Sequence, residues 1–384
     1  MKPQAMKKFA ASLALFQVLL VAVHLAVYRT AEAAFGRPPA PWDAALSWIF
    51  VVLAFTFLAA SVLARRWHGR LMSAFYAFAV YWFGLVSFLF VGACAFFVAT
   101  ALLYPANIYV PPALLGGIAF GVMFLLHLYA TWNSGRAEIV RVAVDGVPGL
   151  PSSWRGRKVA FISDVHLGAL RGARFSAKVA AKVRAEAPYA LFIGGDLYDG
   201  PACDEAAVIA PFAALAKELP GGIWFVTGNY EYFTRDPERT IRTVREAGMH
   251  VLRNEAADLD GVRIAGMDEK DTHHPEEFRR AFAQAIGEKA AGAEGPTILM
   301  SHIPVPANLD HAAEMGVALE LSGHTHNGQI FPFQFIVKRT FRGYGYGIKV
   351  HPGGMRVYTS SGVGTWGPPM RLGTRSEVVI IEFQ

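Results

Sequence analysis

The sequence predicts an α/β domain carried behind an all-α membrane domain of about four helices. Two patterns lead to this fold class. Four long apolar runs fill the first 134 residues, and beyond them short apolar runs alternate with helical patterns. Composition agrees: of 384 residues, 53% are hydrophobic and 17% charged, and the mean hydropathy is +0.31, too apolar for one soluble domain of ordinary make-up. The chain divides into residues 1–134 and 135–384, with the change of composition at Asn133-Ser134-Gly135.

The apolar runs cover 9–28, 44–64, 71–104 and 113–132. A helix needs roughly 20 apolar residues to cross a bilayer. The third run is longer, and no charge or proline interrupts it. It reads as one long crossing rather than two broken near Gly84 or Gly92. The first run is too long for a cleaved leader and reads as a retained span. Trp42, Trp48, Trp67 and Trp132 lie near run ends, as interfacial anchors do. His24 and His127 lie within runs, near helix ends, where neutral rings would reach the interface.

Charge sets the orientation. Residues before 135 hold eight Lys/Arg and two Asp/Glu, and the remainder holds 28 of each. Lys2, Lys7 and Lys8 precede the first run, and Arg65, Arg66 and Arg70 separate the second from the third. The positive-inside rule puts both ends, and so the second half, on the cytoplasmic side of the inner membrane. A second half of zero net charge has no basic excess to neutralise a phosphate backbone, which argues against nucleic acid as a partner. Cys94 lies in an apolar run and Cys203 in a polar segment, so a disulfide between them is not expected; two free thiols suit a reducing compartment, but so small a count does not decide it.

In the second half, strands are expected over 138–144, 158–163, 190–194, 222–227, 262–265, 297–300, 318–321, 355–360 and 377–383. Helices are expected over 174–186, 204–219 and 237–247. Chemistry in such folds gathers at the carboxyl ends of strands. Five runs end in possible ligands: Asp164-Val165-His166, Gly195-Asp196-Leu197-Tyr198-Asp199, Gly228-Asn229-Tyr230-Glu231, Ser301-His302 and Gly323-His324-Thr325-His326. Mixed Asp, Asn and His suit two divalent ions. A bridging carboxylate holds the pair, and neutral imidazoles add donors without repelling an anionic substrate. The glycines before Asp196, Asn229 and His324 allow sharp turns and close backbone approach. In the pairs Asp164/His166 and His324/His326, alternate residues of an extended chain would project the same way. His273 and His274, in a polar loop, and His250, His311 and His351 fit no strand end.

At these residues the sequence resembles the calcineurin-like metallophosphoesterase superfamily over about residues 155–384. The stretch from Ser361 to Arg371 is similar to its transmembrane branch. There is a looser likeness to metallophosphoesterases that split the pyrophosphate of UDP-diacylglucosamine. The resemblance implies a two-sheet sandwich flanked by helices. It implies that Asp164, His166 and His326 bind one metal, that Asn229, His302 and His324 bind the other, and that Asp196 bridges both. The ions would be Mn²⁺, Fe or Zn²⁺ rather than Mg²⁺, and a metal-bridging hydroxide would attack phosphorus in line. Where the family has histidine after the asparagine, this chain has Tyr230, a weaker acid but still a hydrogen-bond donor. Tyr230 is therefore a candidate donor or phosphate positioner, Asp199 and Glu231 candidate orienting groups, and Arg371 a candidate partner of a substrate phosphate.

Three functions remain open on the sequence. The first is a membrane-anchored phosphoesterase for a lipid or lipid-linked nucleotide, with the aromatic stretch 330–336 either touching acyl chains or belonging to the core. The second is a hydrolase of soluble phosphodiesters or cyclic nucleotides, with the spans as anchor only. The third is a non-catalytic membrane sensor or scaffold.

Overall fold

The computed structural model describes residues 3–64, 66–67, 69–199, 204–234, 236–287 and 295–384. Lys2, Arg65 and Cys203, used above, lie outside the described residues. The chain forms two compact units, Met1–Trp132 and Asn133–Gln384.

The first unit consists of α1 (Pro3–Phe35), α2 (Trp42–Leu63), α3 (Arg70–Leu103) and most of α4 (Pro112–Ser134). All four are long and apolar enough to cross a membrane. The third apolar run is one unbroken 34-residue helix. At 1.5 Å per residue it measures about 50 Å, more than the hydrocarbon core requires. Gly92 lets α3 approach α4, where a Cβ would lie 3.1 Å from the Ala119 carbonyl oxygen. The two histidines depart from expectation, because both are buried rather than reaching an interface. His24 Nδ1 donates to the Leu20 carbonyl (2.7 Å) and Nε2 accepts from the Trp82 indole (2.9 Å). The His127 ring lies edge-on to Phe88. Lipid offers no hydrogen-bond partner, so an intramembrane imidazole is drawn to the bundle interior.

The second unit is a two-sheet sandwich. One sheet has the order β1 (Ala137–Val144), β12 (Ser376–Phe383), β2 (Lys158–Ile162), β3 (Ala190–Gly194), β4 (Ile223–Val226), β5 (His250–Val251). The other runs β10 (Gly347–Val350), β11 (Arg356–Thr359), β9 (Val317–Ser322), β8 (Thr297–Met300), β7 (Val262–Gly266), β6 (Glu255–Leu259). β2 to β5 are parallel, as are β7, β8, β9 and β11. The outer helices are α5 (Ala173–Ala185), α6 (Glu205–Ala216) and α8 (Pro237–Glu246) on the first sheet, and α9 (Pro275–Ile286) and α10 (Pro306–Glu314) on the second.

Strands covered on both faces read as continuous apolar runs, and β2 shows how. Val159 and Phe161 point between the sheets, while Ala160 and Ile162 point to the outer helices. The inter-sheet core joins Phe161, Phe192, Trp224 and Ile381 to Ile264, Met300, Leu319 and Leu321. Trp154 closes one end. Its ring meets Phe383 edge-on at 5.2 Å and its indole N–H donates to the Leu259 carbonyl at 3.2 Å, so it touches a strand of each sheet.

Strands β5, β6 and β10 and helices α9 and α10 were not expected from the sequence. β5 has only two residues, and β6 and β10 carry exposed edge residues without a clean apolar alternation.

Two stability outcomes follow. Trp154→Ala should lower unfolding stability by about 3–5 kcal/mol, because it empties a fully buried site between the sheets; thermal unfolding in detergent reads this. Glu320 on β9 is buried, and among the described residues only the Ser322 hydroxyl donates to its side chain; burial, partly offset by Ser322, pushes it up to about 8. An acid raised in the folded state leaves stability unaffected below its unfolded pKa and weakens it as pH climbs to the folded one. The melting temperature of the native chain should therefore fall relative to Glu320→Gln from about pH 5 to pH 8, and parallel curves would contradict this.

Candidate metal centre

Both sheets present the carboxyl ends of their parallel strands at one edge, and the expected ligands arrive there from five loops. Asp164 and His166 follow β2, Asp196 follows β3, and Asn229 and Tyr230 begin α7 (Asn229–Tyr232) after β4. His302 follows β8, and His324 and His326 follow β9.

The loops are not extended. Asp164, His166, Asp196, His324 and His326 have φ of +52°, +52°, +51°, +68° and +48°. The expectation that alternate side chains project together from an extended strand is therefore wrong. The loops after β2, β3 and β9 curl through the left-handed region, which L-residues occupy at a cost of order 1–3 kcal/mol where the surroundings over-determine it. Here the surroundings are hydrogen bonds. Asp164 N donates to Gly195 O, His166 N to Asp196 O, and Gly364 N to Asp164 O.

The donor atoms converge. His326 Nε2 lies 3.3 Å from Asp164 Oδ1 and 3.2 Å from His166 Nε2. His302 Nε2 lies 3.3 Å from both Asp196 Oδ2 and Asn229 Oδ1. Asn229 Oδ1 lies 3.0 Å from His324 Nδ1. His166 Nε2 is 3.9 Å from Asp196 Oδ2, so the central carboxylate faces a histidine of each group. Asp164, His166 and His326 form one cluster spaced to hold a metal ion, and Asp164, Asp196 and His302 form another. The seven sequence candidates meet in one place. Among the described residues, none of the other histidines joins a metal-sized cluster. His273 lies outside, 2.9 Å from Glu269 and half exposed.

Protonation supplies the test of fit. His302 Nδ1 sits 2.7 Å from the Gly194 carbonyl, which can only accept. Nδ1 must carry the proton, so in a neutral ring Nε2 presents a lone pair to two acceptor oxygens. That arrangement calls for a cation. Without a metal a proton fills the role: burial alone would lower His302, but Asp196 outweighs it and the ring is pushed up to about 10. Burial first of all pulls His166 to about 3 and His324 to about 4, leaving neutral rings of the kind metals bind. Burial would raise Asp164, yet His326, His302 and His166 hold it well below the usual carboxylate range. The donor set fits divalent cations.

Glu231 does more than orient a turn. Its Oε2 accepts from Asp196 N (3.0 Å) and Gly228 N (2.7 Å), and its Oε1 from Leu197 N (2.9 Å) and Tyr198 N (3.3 Å). In return, Tyr230 N donates to Asp196 Oδ1 (2.8 Å). The Tyr230 ring is half-buried and edge-on to His166 at 4.6 Å. Gly228 is required by space, since a Cβ would stand 2.2 Å from Asp196 Oδ1. Asp199 is partly exposed as a residue, but its carboxyl is desolvated, and that burial, opposed by Arg171 and reinforced by Asp196, pushes it up to about 7.

Arg371 departs from expectation. Its side chain is fully buried and donates to the carbonyls of Ser361, Gly362, Gly364 and His326. Its guanidinium braces the glycine-rich loop behind Asp164 from a site closed to solvent. Asp268, two residues beyond β7, was not anticipated. It is buried and accepts from Thr227 Oγ1 (2.9 Å), Arg253 Nε (2.9 Å) and the Tyr232 hydroxyl, bracing the β4 end. Its signal in the sequence was its place just past a strand end, without a neighbouring histidine.

Residues 157–328 match the family model for calcineurin-like phosphoesterase domains. A transmembrane protein with metallophosphoesterase domain from Danio rerio is 29% identical over 69% of this chain and 61% of its own length. An uncharacterized metallophosphoesterase of Campylobacter jejuni is 30% identical over 68% of each chain, and one of Aquifex aeolicus is 32% identical over 59% of this chain and 85% of its own. The match spans about three fifths of the animal relatives' length.

Gly228→Ala and Glu231→Gln should each reduce metal affinity by roughly 10–100-fold, because each displaces Asp196 or Asn229 without removing a ligand. Metal content after dialysis against graded chelator, with circular dichroism to confirm folding, reads the outcome.

Proposed function

This chain belongs to the calcineurin-like metallophosphoesterase family of metal-dependent phosphoester hydrolases, and on that footing we propose that it cleaves a phosphodiester or pyrophosphate bond in a lipid or lipid-linked nucleotide, such as UDP-diacylglucosamine, at the membrane it spans. The observation that carries its metal-dependent chemistry is the placement of His302 Nε2, held toward oxygens of Asp196 and Asn229 by the Nδ1 bond to Gly194.

Asp164, His166 and His326 would hold one ion, and Asn229, His302 and His324 the other, with Asp196 between them. Mn²⁺, Fe or Zn²⁺ suits so many imidazoles better than Mg²⁺. When bound, such ions supply positive charge for phosphoryl oxygens and acidify water. The chain does the rest. Glu231 keeps Asp196 and the Asn229 turn in register. The neutral rings leave the cluster with little negative charge, so an anionic substrate can approach. Tyr230 stands beside His166. A tyrosine hydroxyl is a weaker acid than an imidazolium and serves as a hydrogen-bond donor rather than a strong acid. That suits a phosphate leaving group, which needs little protonation, and so favours a pyrophosphate bond. The four candidate spans and the basic loops support a catalytic domain on the cytoplasmic side, next to inner-leaflet lipids.

Detergent-purified chain loaded with Mn²⁺ should hydrolyse a lipid-linked pyrophosphate, and Asp196→Asn should fall to background with its fold intact. Efficient cleavage of soluble phosphodiesters with lipid substrates ignored would sink the reading. Tyr230→His should raise turnover by at least about tenfold on substrates with poor leaving groups and leave good ones nearly unchanged.

A further inference from the structure

The neutral charge balance of the catalytic half conceals a strong segregation. Residues 321–376 contain seven Lys/Arg and no Asp or Glu, so the rest of residues 135–384 has 21 basic and 28 acidic residues. Inside this basic stretch lies α11 (Gln334–Thr340), which has no buried residue. Phe331, Phe333, Phe335 and Ile336 are 58%, 52%, 66% and 61% exposed, so the segment is not part of a core. Lys338, Arg339 and Arg342 follow within six residues and are exposed. A cluster of large apolar groups left in water beside cations marks an interaction surface. Aromatic residues with adjoining Lys/Arg are the composition of segments that lie in a membrane interface. The segment falls outside the part of the chain that matches the family model.

Hydrogen bonds connect this patch to the point where the last span ends. Phe331 N donates to Leu372 O (2.8 Å), Gln334 Nε2 to Gly373 O (3.1 Å), and Thr374 Oγ1 to Gln329 O (2.7 Å). The same loop receives the last two residues of α4. Asn133 Nδ2 donates to Arg371 O (3.1 Å) and Thr374 O (3.0 Å), and Ser134 Oγ to Pro369 O (2.7 Å). The loop 369–374 thus holds the end of a span on one side and the aromatic patch on the other. On its other flank, the patch begins five residues after His326.

We propose that residues 331–342 form an interfacial foot that seats in the headgroup–acyl boundary of the membrane the chain spans, with Lys338, Arg339 and Arg342 on anionic headgroups. The bilayer is the occupant for three reasons: the loop shared with the end of α4, the complementarity of an acid-free stretch to anionic lipid, and the aromatic make-up. The foot rests on the membrane-linked reading of the chain, but not on the substrate being a lipid.

Full-length Phe335→Cys, with Cys94→Ser and Cys203→Ser, would carry an environment-sensitive NBD label in nanodiscs of phosphatidylglycerol and phosphatidylcholine. Lipids bearing a doxyl quencher on the acyl chain should dim that label by about twofold or more, whereas a label at Glu246→Cys on α8 should stay bright. In the second arm, Phe333→Ser/Phe335→Ser/Ile336→Ser should keep its rate on a soluble nitrophenyl phosphodiester and lose about tenfold on a vesicle-borne lipid substrate relative to the parent. Quenching in a parent that ignores lipid substrates would support the foot while refuting the lipid-substrate proposal. A label that stays bright overturns the foot, whether the patch is then bare or covered by a protein.

Discussion

The Glu231 carboxylate is the point on which the metal centre depends. Four backbone N–H groups from the ends of β3 and β4 terminate on its two oxygens, while Asp196 takes the N–H of Tyr230 in return. These bonds fix two loops that would otherwise be independent. They also leave room for no side chain at Gly228, where the backbone passes against the Asp196 carboxylate. Leaving several buried N–H groups unpaired would cost roughly 1–3 kcal/mol each, so the arrangement holds or fails as a unit.

On that frame, the left-handed backbone of five candidate ligands becomes sustainable. Strain persists only where the surroundings over-determine it. Here the surroundings are parallel strands buried on both faces and a loop from Ser361 to Gly364 bonded to the backbone of Ser163 and Asp164. Arg371 serves that loop rather than a substrate. A guanidinium has five donors and no acceptor, so carbonyls can stand in for an anion as its partners. Burial first, and then Arg171, pull it down to about 9, which such a carbonyl cage tolerates.

The two units have opposite relations to charge. The membrane unit is made of apolar helices whose few polar groups pair internally, as His24 does with Leu20 and Trp82. In the catalytic unit, acidic residues are missing from the whole stretch between Glu320 and Glu377. A net charge of zero for a domain therefore excludes little by itself. The distribution decides which surfaces meet anions.

The sequence by itself determined the element types and the chemistry of the strand ends. Buried parallel strands need continuous apolar runs, and spans need length, and both are local properties of composition. The runs ending in Asp, Asn and His were legible for the same reason. Tertiary structure decided what meets what. Asp164 and His326 are 162 residues apart and follow strands of different sheets, and no local pattern encodes their 3.3 Å approach. Nor does periodicity reveal that Arg371 faces carbonyls, that Asp268 braces the β4 end, or that Phe331 to Ile336 stand in solvent. An aromatic run reads alike in a core and on a surface, because local sequence records what a segment could bury and only the packed chain settles what is left to cover it.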